Sequence, residues 1–243
     1  MEHERVMTSV SVQHGRSGSD PQCTEVISVH AEIDQQTEAF QRTTGIRCPD
    51  GCGACCHSPH VEASVIDVLP LAVELVEREL TESVIDRIHE RERSGDTRCV
   101  LFDVDPADPQ RGRCSMYAWR PAVCRLFGFA GRRDADGQAQ YSGCKIHREV
   151  MPATVAAAQQ AVREGRIPLP LFSDLAGKVN AIASDSRGRT QPINQSLREA
   201  MQRVALRRRY LTDVALEISA SDDHDDNNDR QPPSPHMPPE VAA

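Results

Sequence analysis

The chain has 243 residues, 39% of them hydrophobic but only 4% aromatic, so it can build one domain or two small ones around an aliphatic core. Its formal charge is −8, of which the stretch from Ala220 onward supplies −5 through six acids and one arginine. That balance does not suggest a general nucleic-acid binder, and no stretch is long and apolar enough to span a bilayer.

In chain order, residues 1–24 are rich in Ser, Gly, His and Arg and are expected to be disordered. They show no apolar leader, so the expected location is the cytoplasm. Residues 25–218 form the predicted domain. A first helix is expected over 25–43, with Val26, Ile27, Ala31, Ile33 and Phe40 as its apolar residues. Residues 44–60 read as a loop punctuated by Gly45, Pro49, Gly51, Gly53 and Pro59.

Leu69, Ala72, Val73, Val76 and Leu80 recur with a helical period. Pro70 belongs in the first turn of that helix, or kinks a longer one capped by Ser64. A second segment is expected to be capped by Thr81, carries Val84, Ile85 and Ile88, and stops at Ser94-Gly95-Asp96.

Residues 99–148 have only short apolar pieces and lack a periodic face, which predicts that a metal helps to fold them. The C-terminal helices lie within 150–216. Pro152 to Gly165 has proline near its start and glycine past its end. Residues 166–193 read as loop with one short helix at most. Ser196 and Glu199 suggest a capping box for a last helix with Leu197, Met201, Val204, Ala205 and Leu211 on one stripe. Arg203, Arg207, Arg208 and Arg209 would complement the C-terminal dipole of that helix. The acidic, Pro-rich tail 219–243 is expected to be disordered.

Four of the nine cysteines fall in the nine residues CPDGCGACC at 48–56. In a reducing compartment clustered thiols bind metal or do redox chemistry rather than form a disulfide framework. Burial explains one or two such residues, not four in nine. The candidate ligands are Cys48, Cys52, Cys55, Cys56, Cys99, Cys114, Cys124 and Cys144, with the metal-binding core at about 44–148. Cys23 stands apart in a polar segment and is read as no ligand. Thiolate is a soft donor that suits zinc, copper(I) or an iron–sulfur cluster. Eight thiolates fit two four-coordinate sites or one polynuclear cluster, and His57, His60 and His147 could substitute for a sulfur. The side chains of Cys55 and Cys56 would diverge in extended chain, so they are expected to serve different metals or different sides of one cluster.

The spacing Cys48-x3-Cys52-x2-Cys55 also occurs in radical S-adenosylmethionine enzymes. The sequence after it is helical and irregular, without the βα alternation of their barrel. No phosphate loop, zinc-protease helix or nucleophile elbow is present.

CPDGCGACC, then Cys99, then CSMYAWRPAVCR at 114–125, then Cys144 resembles the YkgJ-type cysteine-cluster family, a zinc- or iron-chelating domain. Cys114, Tyr117, Arg120, Pro121, Cys124 and Arg125 match its second motif. The chain departs from the family in the first spacing, which is three residues rather than two, and in Val100, which replaces a common proline. The resemblance implies chelation of zinc or iron. Some relatives are described as flagellin lysine N-methylases, which supplies the alternative of a metal-dependent protein-modifying enzyme. A structural interaction module is the third reading. Arg120 and Arg125 would offset the charge of metal-bound thiolates, with Tyr117 either over the site or in the small core. The expected fold is mainly α, with an irregular cysteine-rich centre packed by several helices. The expected partners are metal ions, with no nucleic acid and no membrane.

Overall fold

Asp20 accepts a hydrogen bond from the Gln22 N–H at 3.0 Å, and Pro21 stands at the first helical position. Helix α1 therefore starts at Pro21 and runs to Thr44, where Gly45 at φ 75° stops it. The helix begins four residues earlier than periodicity predicts. The computed structural model describes residues 20–222 except 184, 186 and 187. The expected disorder of 1–24 and 219–243 falls largely outside that range.

One stripe of α1 is buried: Cys23, Val26, His30, Ile33, Thr37 and Phe40. Cys23 is thus a core residue, fully enclosed with Val26, Ile66, Leu126 and Leu175, and not part of a polar tail. Cys23→Ser is expected to cost about 1–3 kcal/mol by placing a hydroxyl among apolar groups. It should leave metal content unchanged; melting and elemental analysis check the two halves of that expectation.

The remaining elements follow in order: α2 (Ala54–His57), β1 (Glu62–Ser64), α3 (Leu69–Glu77), α4 (Thr81–Ser94), β2 (Phe102–Asp105) and β3 (Asp108–Cys114). After a 3-10 turn at Tyr117–Trp119 come α5 (Ala122–Leu126), β4 (Arg132–Arg133), β5 (Ala139–Gln140), α6 (Lys145–Val150), α7 (Pro152–Arg163), α8 (Phe172–Ala181), β6 (Thr190–Pro192) and α9 (Ile193–Asp222). The fold is mainly α. Its strands pair antiparallel in three two-stranded pieces, β1 with β6, β2 with β3 and β4 with β5. Pro70 does sit in the first turn of α3, and Gly95 ends α4 in a left-handed conformation.

Two expectations are corrected. Ser196 does not cap α9. The helix starts at Ile193, and the buried Ser196 hydroxyl donates to the Ala63 carbonyl at 2.8 Å, which ties α9 to β1. Glu199 pairs instead with Arg203 at 2.7 Å. The helix also continues to Asp222, so Arg207, Arg208 and Arg209 lie in its interior rather than at its negative end, and the dipole argument fails for them.

Residues up to Val204 form one compact unit. Its core has three parts. Helices α3, α4 and the start of α9 enclose Val100, Leu101 and Met116. Helices α1, α5 and α8 share the second part. The third joins Phe40 and Ile46 to Phe129, Tyr141 and α7. The second unit begins at Ala205, and there α9 exposes Leu206, Tyr210 and Leu211. The apolar stripe read from the sequence is therefore buried at Leu197 and Met201 but not at Leu211. Among the described residues no helix is long and apolar enough to cross a membrane.

Candidate metal centre

The cysteine loop is docked on the β2–β3 hairpin by its glycines. A Cβ on Gly53 would lie 2.4 Å from the Phe102 ring, and one on Gly112 would lie 2.5 Å from the same ring. Only bare backbone lets both strands of chain close over that phenyl group. The Gly112 N–H donates to the Gly51 carbonyl at 3.3 Å, and Arg111 Nη2 donates to the Asp50 carbonyl at 2.6 Å. Residues 50–53 of the loop are thus held on this hairpin.

Residues 54–57 form a single helical turn, α2. Successive side chains on a helix are about 100° apart rather than on opposite faces. The Cys55 and Cys56 sulfurs accordingly lie 4.0 Å apart. The divergence expected of an extended pair does not occur. Two sulfurs bound at about 2.3 Å in a tetrahedron stand about 3.8 Å apart, so this vicinal pair is spaced for a common ion.

The thiols fall into two neighbourhoods that meet at Cys55, each mixing the loop with the later segment. Ionisation of Cys48 is opposed by Cys52 and Cys144, and by Cys55 from the second group. Around Cys56 and Cys124 the neighbours are Cys55, Cys99 and Cys114. The first group is the outer one by virtue of Cys48, which is exposed, while Cys52 and Cys144 are half-buried like Cys55, Cys56, Cys114 and Cys124. The second lies inward, with Cys99 buried against the core of α3, α4 and α9.

Their electrostatics match thiols crowded out of water. Packed atoms push the Cys48 thiol up to about 12 although the residue keeps an exposed edge, and the nearby thiols add to this. Burial raises Cys99 to about 12 and raises Cys114, Cys124 and Cys144. Cys55 is the exception, held low by the hydrogen bond from Cys56, which is raised in turn. Divalent metal binding at neutral pH would therefore displace protons from most of these sulfurs. As they stand, no three His, Cys, Asp or Glu side chains among the described residues form a finished ion site. The soft donor set and the Cys55–Cys56 spacing fit zinc or iron; closing the site requires rotamer changes at other sulfurs.

Arg120 is the cation that both neighbourhoods feel: it lowers Cys48 as well as Cys55, Cys114 and Cys124. Its guanidinium lies 3.5 Å from the centre of the Tyr117 ring, and Nε donates to the Tyr117 carbonyl at 2.9 Å. Tyr117 is 62% exposed, so it fills no core and instead braces Arg120. Arg125 is buried and differently employed. It pairs with Asp34 on α1, and its Nε and Nη2 donate to the carbonyls of Arg120 and Ala118 at 2.6 and 2.7 Å. All three of its nitrogens have oxygen partners, so it holds the 118–120 turn rather than a sulfur.

Sequence reading passed over Asp67. Its carboxylate receives the Ala122 N–H at the start of α5 at 2.9 Å and lies 2.7 Å from His30 Nε2. The Ser64 hydroxyl donates to Asn180 Oδ1 at 2.7 Å beside it. This buried network fixes the helix that carries Cys124. A lone aspartate inside the apolar run VIDVLPL was the available signal, because a buried carboxylate must have partners.

Of the histidines, His60 is exposed, and His57 stacks edge-on to Phe102 at 4.7 Å. His147 is completely enclosed, and its Nε2 lies 3.6 Å from Cys48 Sγ. No curated protein and no solved structure matches the chain. Residues 47–145, the span that holds all eight clustered cysteines, match the model of the CxxCxxCC family, described as a "putative zinc- or iron-chelating domain".

Proposed function

We propose that the protein chelates zinc or iron through Cys48, Cys52, Cys55, Cys56, Cys99, Cys114, Cys124 and Cys144, with each metal shared between the 48–56 loop and the later segment. The observation that carries this reading is the mixed composition of the two thiol neighbourhoods. Cys144 joins Cys48 and Cys52, while Cys99, Cys114 and Cys124 join Cys55 and Cys56. The outer group would hold one metal and the inner group another, or a small cluster.

Arg120 suits such a centre. Four thiolates around a divalent ion leave a formal charge of −2, and a guanidinium within reach of both groups offsets it without titrating. Tyr117, stacked on Arg120, keeps that charge aimed. The cytoplasm, where thiols stay reduced, is the compartment this chemistry favours.

The test is elemental analysis of the full chain purified without oxygen. The reading expects more than one equivalent of zinc plus iron per chain. Less than about half an equivalent, after allowance for handling losses, would count against it.

A further inference from the structure

We propose that His147 is a ninth ligand, its Nε2 completing a Cys3His site with Cys48, Cys52 and Cys144. This rests on the chelation reading above and names a donor outside the span matched by the family, which ends at residue 145.

The first observation is distance. A sulfur at about 2.3 Å and an imidazole nitrogen at about 2.0 Å from one tetrahedral ion stand about 3.5 Å apart. Cys48 Sγ and His147 Nε2 are 3.6 Å apart, although 99 positions separate them in sequence. The second is enclosure. The His147 ring has no exposed surface and packs at 5.2 Å from the Phe129 ring. Gly128, at φ 82°, closes over its other edge; a Cβ there would approach the ring to 3.0 Å.

The third is the division of the two nitrogens. Nδ1 is buried on the side of the Gly128 backbone, which is its hydrogen-bonding neighbour although no bond of ordinary geometry has closed. A metal-ligating histidine donates its other ring N–H to such a backbone group. That leaves Nε2 facing a thiol, which is a weak hydrogen-bond partner but a metal-binding one. The fourth is local placement. Cys144 begins α6, and its sulfur accepts the His147 N–H at 3.3 Å, so one short turn presents both the sulfur and the imidazole. Cys52 acts on the Cys144 thiol from the loop side.

With three sulfurs and one nitrogen, the outer site takes the donor set of a closed zinc centre, while the inner site remains all-sulfur. The experiment is X-ray absorption at the zinc edge on the full chain reconstituted anaerobically with Zn²⁺ alone, followed by the same measurement on His147→Cys and on His147→Ala. The expected result is a mixed shell of sulfur and a minority of nitrogen, with imidazole scattering in the wild type. His147→Cys should keep the zinc count and lose the imidazole signal, and His147→Ala should lose about one zinc.

An all-sulfur shell at full zinc content in the wild type would overturn the ninth ligand and leave chelation by cysteines standing; Cys48–His147 would then be a plain hydrogen bond. Imidazole scattering that survives in His147→Cys would overturn it equally by pointing to another histidine. A wild-type chain that takes up no zinc and no iron would instead overturn the chelation reading itself.

Discussion

Stripping the metal from the purified chain with a strong chelator is expected to lower Tm by about 10 °C or more. Segment 99–148 should then become open to protease before the start of α9 at 193–204. The reason is that the segment's strands bury little, and the residues it does bury, Val100, Leu101, Met116, Leu126 and Phe129 among them, pack on helices from elsewhere in the chain. Strand β2 buries Phe102 but exposes Asp103 and Val104, and β4 faces outward at both residues. The glycine-mediated contact between residues 51–53 and Phe102 holds the loop on the hairpin, yet the sulfurs around it are crowded, with Arg120 as the cation common to both groups and Arg91 and Arg148 acting on Cys99 and Cys144 alone. Metal ligation converts that crowding into bonds, so its free energy is in part folding free energy. Circular dichroism melting with and without chelator, and limited proteolysis of both samples, would measure this. An unchanged melting curve after complete metal removal would mean that the metal is not structural.

Asp67→Ala should destabilise the chain by about 3–5 kcal/mol, because it removes the only carboxylate shared by His30 and the Ala122 N–H and leaves both buried. For a domain of this size that is a Tm loss of about 10 °C. Asp67→Asn keeps an acceptor for the Ala122 N–H and should cost roughly half as much. The effect on metal should follow from position: α5 carries Cys124, so the alanine variant should lose inner-site metal more readily than outer-site metal. A melting temperature within about 2 °C of wild type would show that this network contributes little.

Much of the helical frame was legible in the sequence. The period of α4, the proline in the first turn of α3, the glycine after α4 and the Pro152-to-Gly165 boundaries of α7 all rest on local chemistry that tertiary packing did not override. The stripe of α3 was read less well: Leu71 and Leu75 are buried beside Leu69 and Ala72, while Leu80 lies past the helix end and is exposed, and Thr81 is the first residue of α4 rather than its cap. The β2–β3 hairpin was not legible. FDVD and DPQRGRC carry no long alternation, and what makes them a hairpin is the close approach of Gly53 and Gly112 to Phe102, a nonlocal fact. Ser196 misled because a capping-box pattern also fits a residue whose hydroxyl is used by a neighbouring strand.

That the eight clustered cysteines come near one another, with Arg120 beside them, was legible from their spacing. Which thiols meet was not. The argument from extended chain separated Cys55 from Cys56, whereas a helical turn aligns them. Arg125 looked like a partner of sulfur because it lies beside Cys124 in sequence, but helix α5 turns it towards Asp34. His30 with Asp67, and His147 with Cys48, are pairs 37 and 99 positions apart, which no local pattern can announce.

The central claim is that each metal is shared between the two halves of the chain. It is tested most directly by metal content in a cycle of Cys55→Ser, Cys124→Ser and the double variant, each as the full chain purified anaerobically. The account predicts that each single variant loses the same inner metal and that the double variant loses little more. If the two single variants instead each lose a separate equivalent and the double variant loses both, the loop and the later segment bind their metals independently and the account is contradicted.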